Sequence, residues 1–290
     1  MDNRITEPVT PQDPLEGAGG SFREHRIEVE DGVGLRAFEW SGLDQLAPPV
    51  LLVAGWLTIV DSWVPVIARM AETRRVFYLE SREKASAGIL SEAMRKGSFR
   101  VECLGRDIAT VAEGVGLKIE DAVLVGSSLG ANAIFEALKQ GARCRAAFLI
   151  GPNAEFAFPM WSRLLMRLPS AAYRPLVQPV LWYLRHFRLD VKKEPEQYQR
   201  YRKTAEGADF ERLKLSALAL EGYRVIGDFE KIIDPVAVAF ASSDRLHGED
   251  NARLLAEALP RGTALECPSN AFLHRPDVVD EIDRYVRMVS

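Results

Sequence analysis

This 290-residue chain reads as an α/β protein: a mostly parallel central sheet with helices on both faces, interrupted late by a helical insertion. Three observations carry that reading. Short continuous apolar runs, PVLLVAG (49–55), RVFYLES (75–81), AVLVGSS (122–128), AAFLIGP (146–152) and VAVAFASSD (236–244), have the texture of strands buried on both faces. Amphipathic segments of about a dozen residues alternate with them, which implies βαβ units and parallel pairing. The alternation then breaks over 153–232, a stretch of helical texture cut into short pieces by Pro159, Pro169, Pro175 and Pro179. An insertion at this point is expected over the C-terminal edge of the sheet, where open α/β folds place their ligands.

In chain order, residues 1–21 are rich in Pro, Gly and acidic side chains and hold no apolar h-region, so they read as a flexible leader without a secretory signal. HRIEVE and LRAFEW are strand-like, and the Asp31-Gly32 pair between them suits an antiparallel hairpin. After the buried run 49–55 come an amphipathic helix in SWVPVIARMAE, the strand 75–81 and a helix in VECLGRDIATVAEGVG. Strand 122–128 leads into helix LGANAIFEALKQG, and strand 146–152 leads into the insertion. Strand 236–244, helix EDNARLLAEAL, strand TALECPS and a last helix opened by Pro276 complete the chain. The core is therefore expected to comprise 22–152 and 233–290.

Composition narrows the function. Hydrophobic residues make up 47% and charged residues 27%, a balance that excludes wholesale disorder and a disulfide-dense scaffold. The formal net charge of −4 supplies no global cationic field for nucleic acid. No window holds ~18 uninterrupted apolar residues, so no transmembrane segment is expected. Cys103, Cys144 and Cys267 are an odd number, far apart and without a CxxC pair. Free thiols in a reducing, cytoplasmic compartment follow, and a metal site has no support.

The sharpest motif is Gly126-Ser127-Ser128-Leu129-Gly130, a G-x-S-x-G between an apolar strand and a helix-forming sequence. A tight strand-to-helix turn strains Ser128 and thrusts its Oγ out at a helix N-terminus, whose N–H groups and positive dipole suit an oxyanion. On this motif, together with the hairpin, PVLLVAGW, RVFYLES, VAVAFASSD and the closing strand and helix, the chain resembles the α/β-hydrolase fold superfamily over roughly residues 22–289. The resemblance implies that Ser128 is a nucleophile and that the N–H groups of Leu129 and Trp56 form an oxyanion hole; Ala54-Gly55 stands where many members carry His-Gly. It also implies that 153–232 is a cap and that no metal or cofactor is needed.

The resemblance also implies a chain order, with the nucleophile first, the acid after a later strand and the histidine after the last. Asp244, ending VAVAFASSD, is expected to accept Nδ1–H from the histidine and stabilise the imidazolium. Of His25, His186, His247 and His274, only His274 follows the last strand. Its register departs from the family, which places a Gly-His pair about seven residues before the helix-opening Pro; here that position falls on Ser269 or Asn270. Three readings stay open: His274 works from one turn later, Asn270 marks a site without a base, or His247 substitutes. The loop Glu80-Ser81-Arg82-Glu83-Lys84-Ala85-Ser86-Ala87-Gly88 departs as well, since members commonly carry an Asp and a Gly-rich turn there.

From Phe156 to Leu189 there is no acidic residue, while Arg163, Arg167, Arg174, Arg185 and Arg188 interleave with aromatic residues that include Trp161 and Trp182. Such a cap suits a small-molecule or carrier-bound substrate with a hydrophobic acyl group, with Trp161 and Trp182 lining its site, and would suit contact with an anionic membrane surface. Equally, the apolar residues pack the cap down and the arginines snorkel outward. The charged stretch that follows, through FERLK, reads as solvated helix or hinge. The expected activity is a serine hydrolase or acyltransferase acting on an ester or thioester through an acyl-enzyme. The rival is a non-catalytic binding protein of the same fold, and a weaker option runs lyase or peroxidase chemistry from the same serine.

Overall fold

The computed structural model describes residues 20–42, 44–56, 58–158, 209–242 and 248–290, with scattered positions between 160 and 202. Its apolar runs pair as the sequence suggests. The hairpin β1 (Ser21–Glu30) and β2 (Val33–Ser41) turns at Asp31-Gly32. Next come β3 (Val50–Val53), helix α1 (Val64–Ala71), β4 (Arg75–Glu80) and the two-residue β5 (Gly88–Ile89). Helix α2 (Val101–Gly114), β6 (Val123–Ser127), α3 (Leu129–Lys139) and β7 (Ala146–Ile150) follow. Between β7 and β8 (Val236–Phe240) lie the helices α4 (Val177–Tyr183) and α5 (Phe210–Leu220). Helix α6 (Glu249–Glu257), β9 (Gly262–Glu266) and α7 (Val278–Val289) close the chain.

The strands form one sheet in the order β1-β2-β4-β3-β6-β7-β8-β9, with β5 on β2. From β4 to β9 every neighbouring pair is parallel; β1, β2 and β5 are joined antiparallel. Period-2 alternation sorts the strands' side chains onto two faces. Leu51, Val53, Leu124 and Leu149 pack with Leu104, Ile108, Ile134 and Leu255 of α2, α3 and α6. Val50, Leu52, Val125 and Phe148 pack with Val66, Ile67, Met70, Val279 and Ile282 of α1 and α7. Burying apolar surface on both faces contributes roughly 25 cal/mol per Å². That explains why these strands tolerate no polar alternation.

Two boundaries differ from the sequence reading. The last helix begins at Val278, and Pro276 sits in the preceding turn, where its carbonyl accepts from the Val279 N–H. Strand β5 is too short to leave a periodic signal; it pairs with Val33 and Gly34 and closes the loop after β4.

Because β3, β4, β6, β7, β8 and β9 run the same way, the loops leaving their C-terminal ends gather on one edge. A buried ion pair supports that edge. Arg82 grips Asp107 of α2 bidentately at 2.7 Å on each arm and reaches Glu30 at 2.8 Å. Burial works against its charge, but these partners outweigh it and keep the guanidinium ionised. At the opposite end of the sheet, just before β4, Arg74 binds Asp283 of α7 in the same forked manner, at 2.7 and 2.8 Å.

On the far edge, Glu39 takes Arg75 at 2.7 Å and His25 at 2.9 Å. Burial raises its pKa, yet the Arg75 and His25 bonds prevail and hold it below the ordinary 4.5. A carboxyl depressed in the folded state contributes stability that is present above its unfolded value and lost as pH falls through the folded one. The melting-temperature advantage of wild type over Glu39→Gln should therefore be full at pH 7 and shrink below about pH 4.5, which thermal denaturation at both pH values would read.

Candidate active site

Ser128 joins β6 to α3 with φ 49° and ψ −116°, a left-handed backbone that costs a non-glycine residue of order 1–3 kcal/mol. Four neighbours enforce it. The Ser128 N–H donates to the Ile150 carbonyl at 2.8 Å, and its own carbonyl accepts the first α3 bond, from Asn132 N–H at 3.1 Å. A Cβ on Gly126 would stand 2.7 Å from the Ala131 Cα, and one on Gly130 would overlap the Val53 carbonyl oxygen. Only glycine lets α3 lie so close against β3 and β6. The elbow expected from the sequence is formed, and its helix presents first-turn N–H groups, among them that of Leu129, which have no acceptor within the helix.

The loop after β3 runs beside it. A Cβ on Gly55 would lie 3.4 Å from the Ser128 Cβ, so the Gly55–Trp56 peptide borders the serine. The Trp56 indole is anchored from α5, donating to Ser216 Oγ at 2.9 Å, and its ring meets Phe158 edge-on at 6.3 Å. Below this loop lies the charged 80–88 segment, read from the sequence as a departure. Lys84 is 5% exposed; its Nζ donates to the Gly55 carbonyl at 2.6 Å and to Glu83 Oε1 at 2.8 Å. Glu83, 1% exposed, also accepts from Ser81 Oγ at 2.9 Å. Burial raises the Glu80 carboxyl, against the pull of Arg36 and Lys84.

His274 lies in a 3-10 turn over Phe272–His274, which Ser269 begins by accepting the Phe272 N–H on its Oγ at 3.0 Å. The turn folds the imidazole back so that Nδ1 meets the Asn270 carbonyl at 2.9 Å. A carbonyl only accepts, so Nδ1 carries the hydrogen and Nε2 is the basic nitrogen. The ring also lies 5.1 Å from that of Trp63, which precedes α1 in the segment following the Gly55–Trp56 loop. Asn270 is buried.

His25 is bonded to Glu39 in the edge hairpin, and His186 lies against Trp182, its Nδ1 2.8 Å from the Trp182 carbonyl. Trp182 is 56% exposed. Asp244, His247 and Trp161 lie outside the described residues. Arg163 pairs with Glu221 at 2.9 Å.

The described end of the charged stretch, 209–214, departs from the sequence reading at one residue. Its Arg212 is 8% exposed rather than solvated, and its Nη1 donates to the Lys84 carbonyl at 2.5 Å. Burial lowers the Arg212 pKa, opposed by Asp209 and Glu211. Charge density in sequence favours solvent; here the Lys84 carbonyl and the Asp209 carboxylate, 3.4 Å away, take the guanidinium. Lys84, Arg212 and Ser216 are the residues that sequence reasoning missed at this site. Among the described residues no group of three His, Cys, Asp or Glu could hold a metal ion, and no helix is long and apolar enough to cross a membrane.

No protein-family model matches the sequence, and no curated protein does. Solved structures do match. An esterase, RhEst1, from Rhodococcus sp. ECU1013 superposes with a TM-score of 0.73 at 17% identity, over 93% of this chain and 100% of its own. A thermophilic esterase from Thermogutta terrifontis gives 0.71 at 18%, over 92% and 99%. The enol-lactonase from Burkholderia xenovorans LB400 gives 0.70 at 20%, over 91% and 97%. With the sheet order and the elbow, these place the chain in the α/β-hydrolase fold.

Proposed function

We propose that the protein is a serine hydrolase of ester or thioester bonds. The observation that carries this is the strained Ser128 backbone at the head of α3, since proteins keep such strain where function needs it. Ser128 Oγ attacks the acyl carbonyl while His274 Nε2 takes its proton. The Leu129 and Trp56 N–H groups receive the oxyanion, the Asn270 carbonyl holds Nδ1–H, and Asp244 steadies the imidazolium through its charge. The proton then passes from His274 to the departing alcohol or thiol, and water or another acceptor resolves the acyl-enzyme. Residues 153–232 form the cap. Trp56 and Phe158, ring to ring beside the elbow, supply an apolar wall for a hydrophobic acyl group, which supports the substrate reading.

Fluorophosphonate labelling tests the proposal, because the reagent modifies only activated serines. Wild type should label stoichiometrically and Ser128→Ala not at all; p-nitrophenyl esters should be turned over with kcat/KM rising from acetyl to octanoyl. Absence of labelling in folded wild type would instead favour the non-catalytic binding protein, with Asn270 standing where the base should be.

A further inference from the structure

Lysine is costly to bury, and Lys84 is buried where a hydrophobic residue of similar volume would often stabilise the fold as well or better. What its charge touches is specific. The ammonium binds the Gly55 carbonyl, which belongs to the same peptide unit as the Trp56 N–H. A trans peptide is planar, with C=O and N–H pointing opposite ways. Pinning the carbonyl from below therefore turns the N–H to the other side, and the Ser128 Cβ stands within 3.4 Å of where a Gly55 side chain would begin. The same carbonyl accepts from Thr58 N–H at 3.0 Å, which fixes the turn but brings no charge. A cation on a carbonyl also polarises the amide and strengthens its N–H as a donor.

We propose that Lys84 is a positioning residue for the oxyanion hole: its ammonium, held by Glu83, orients and polarises the Gly55–Trp56 amide toward the charge that develops during attack. The inference rests on the reading of Ser128 as nucleophile and Trp56 as oxyanion donor, and deepens it. Arg212 of α5 grips the Lys84 carbonyl, and Ser216 of the same helix grips the Trp56 indole, so one helix secures both sides of this peptide's support.

Removing Lys84 alone leaves Glu83 charged and buried, so the informative variant is the double Glu83→Gln/Lys84→Met, with Lys84→Gln beside it. Both are compared with wild type in p-nitrophenyl butyrate hydrolysis, counted per serine titrated by fluorophosphonate, so that any unfolded fraction drops out. The inhibition constant of an aryl trifluoromethyl ketone, whose adduct with the serine carries an oxyanion, is measured in parallel. The expected result is a kcat lower by roughly 10–100-fold, short of the ~10²–10³-fold cost of deleting a donor outright, with KM within about 3-fold. The inhibition constant should rise by the factor that kcat/KM falls. A lysine that only fills space would leave the ketone's affinity untouched. Either variant retaining wild-type kcat and ketone affinity per labelled serine would overturn the inference while the hydrolase reading stands. Failure of wild type itself to label would overturn the hydrolase reading.

Discussion

Substituting glutamine for His274 is expected to lower kcat/KM by about 10⁴-fold or more, close to the loss in Ser128→Ala, because base and nucleophile act as a unit. The geometry behind this is local. The Ser269-initiated turn sets the imidazole against Trp63 and gives Nδ1–H to the Asn270 carbonyl, which leaves Nε2 as the proton acceptor. Glutamine keeps a polar side chain of similar reach but cannot take a proton, so the fold should hold and only the chemistry fail. His25→Gln is the matched control: that imidazole is engaged with Glu39 in the edge hairpin and its loss should leave kcat unchanged. Asn270→Ala separates the other reading. If Asn270 contributes only its backbone carbonyl, the variant should label with fluorophosphonate at a rate near wild type. A His274→Gln enzyme of undiminished kcat/KM, with activity lost instead in His247→Gln, would transfer the base to the loop beyond β8.

How far the site was legible from residues depends on whether each device is local. The elbow is local: small residues two positions either side of Ser128, a buried strand before and a helix after, are all written within a dozen residues, and φ 49° follows from them. The hairpin at Asp31-Gly32 is local for the same reason. Loop 80–88 is the opposite case. Glu-Ser-Arg-Glu-Lys shows in sequence only a departure from the family's Asp and Gly-rich turn, and nothing there shows that Asp107 will meet Arg82 or that the Gly55 carbonyl will meet Lys84. Burial of these charges depends on partners 25, 29 and, for Arg212 on the Lys84 carbonyl, 128 residues away. The same distance problem hid Ser216, an ordinary helical serine until Trp56 reaches it. The family's chain order alone singled out His274, and the 3-10 turn that sets its ring against Trp63 reflects Ser269, a residue with no conspicuous signal before the fold is known.

Among the described glycines, Gly130→Ala should be one of the most damaging single methyl additions. An added Cβ would overlap the Val53 carbonyl oxygen and stand 2.6 Å from the Val53 carbonyl carbon and 2.7 Å from the Ala54 oxygen. These are backbone atoms of β3 and of the loop leading to Gly55, and no rotamer change relieves them. Either α3 slides away from the sheet, which opens the buried contacts of Leu129, Ala131, Ile134 and Phe135, or β3 shifts in its pairing with β4 and β6. Overpacking typically costs 1–3 kcal/mol, and a clash against rigid backbone belongs at or beyond the upper end, about 3–5 kcal/mol. Gly97 gives the contrast: nothing lies within 4 Å of a Cβ there, so Gly97→Ala should stay within about 0.5 kcal/mol of wild type. Urea denaturation of the two variants reads the difference. Whatever fraction of Gly130→Ala remains folded should also label slowly with fluorophosphonate. The displaced carbonyls of Val53 and Ala54 lead directly into the Gly55–Trp56 peptide, so a methyl on the helix side would spoil the oxyanion hole from the strand side. Equal stability of the two glycine variants would mean that α3 and β3 are not held as closely as this packing requires.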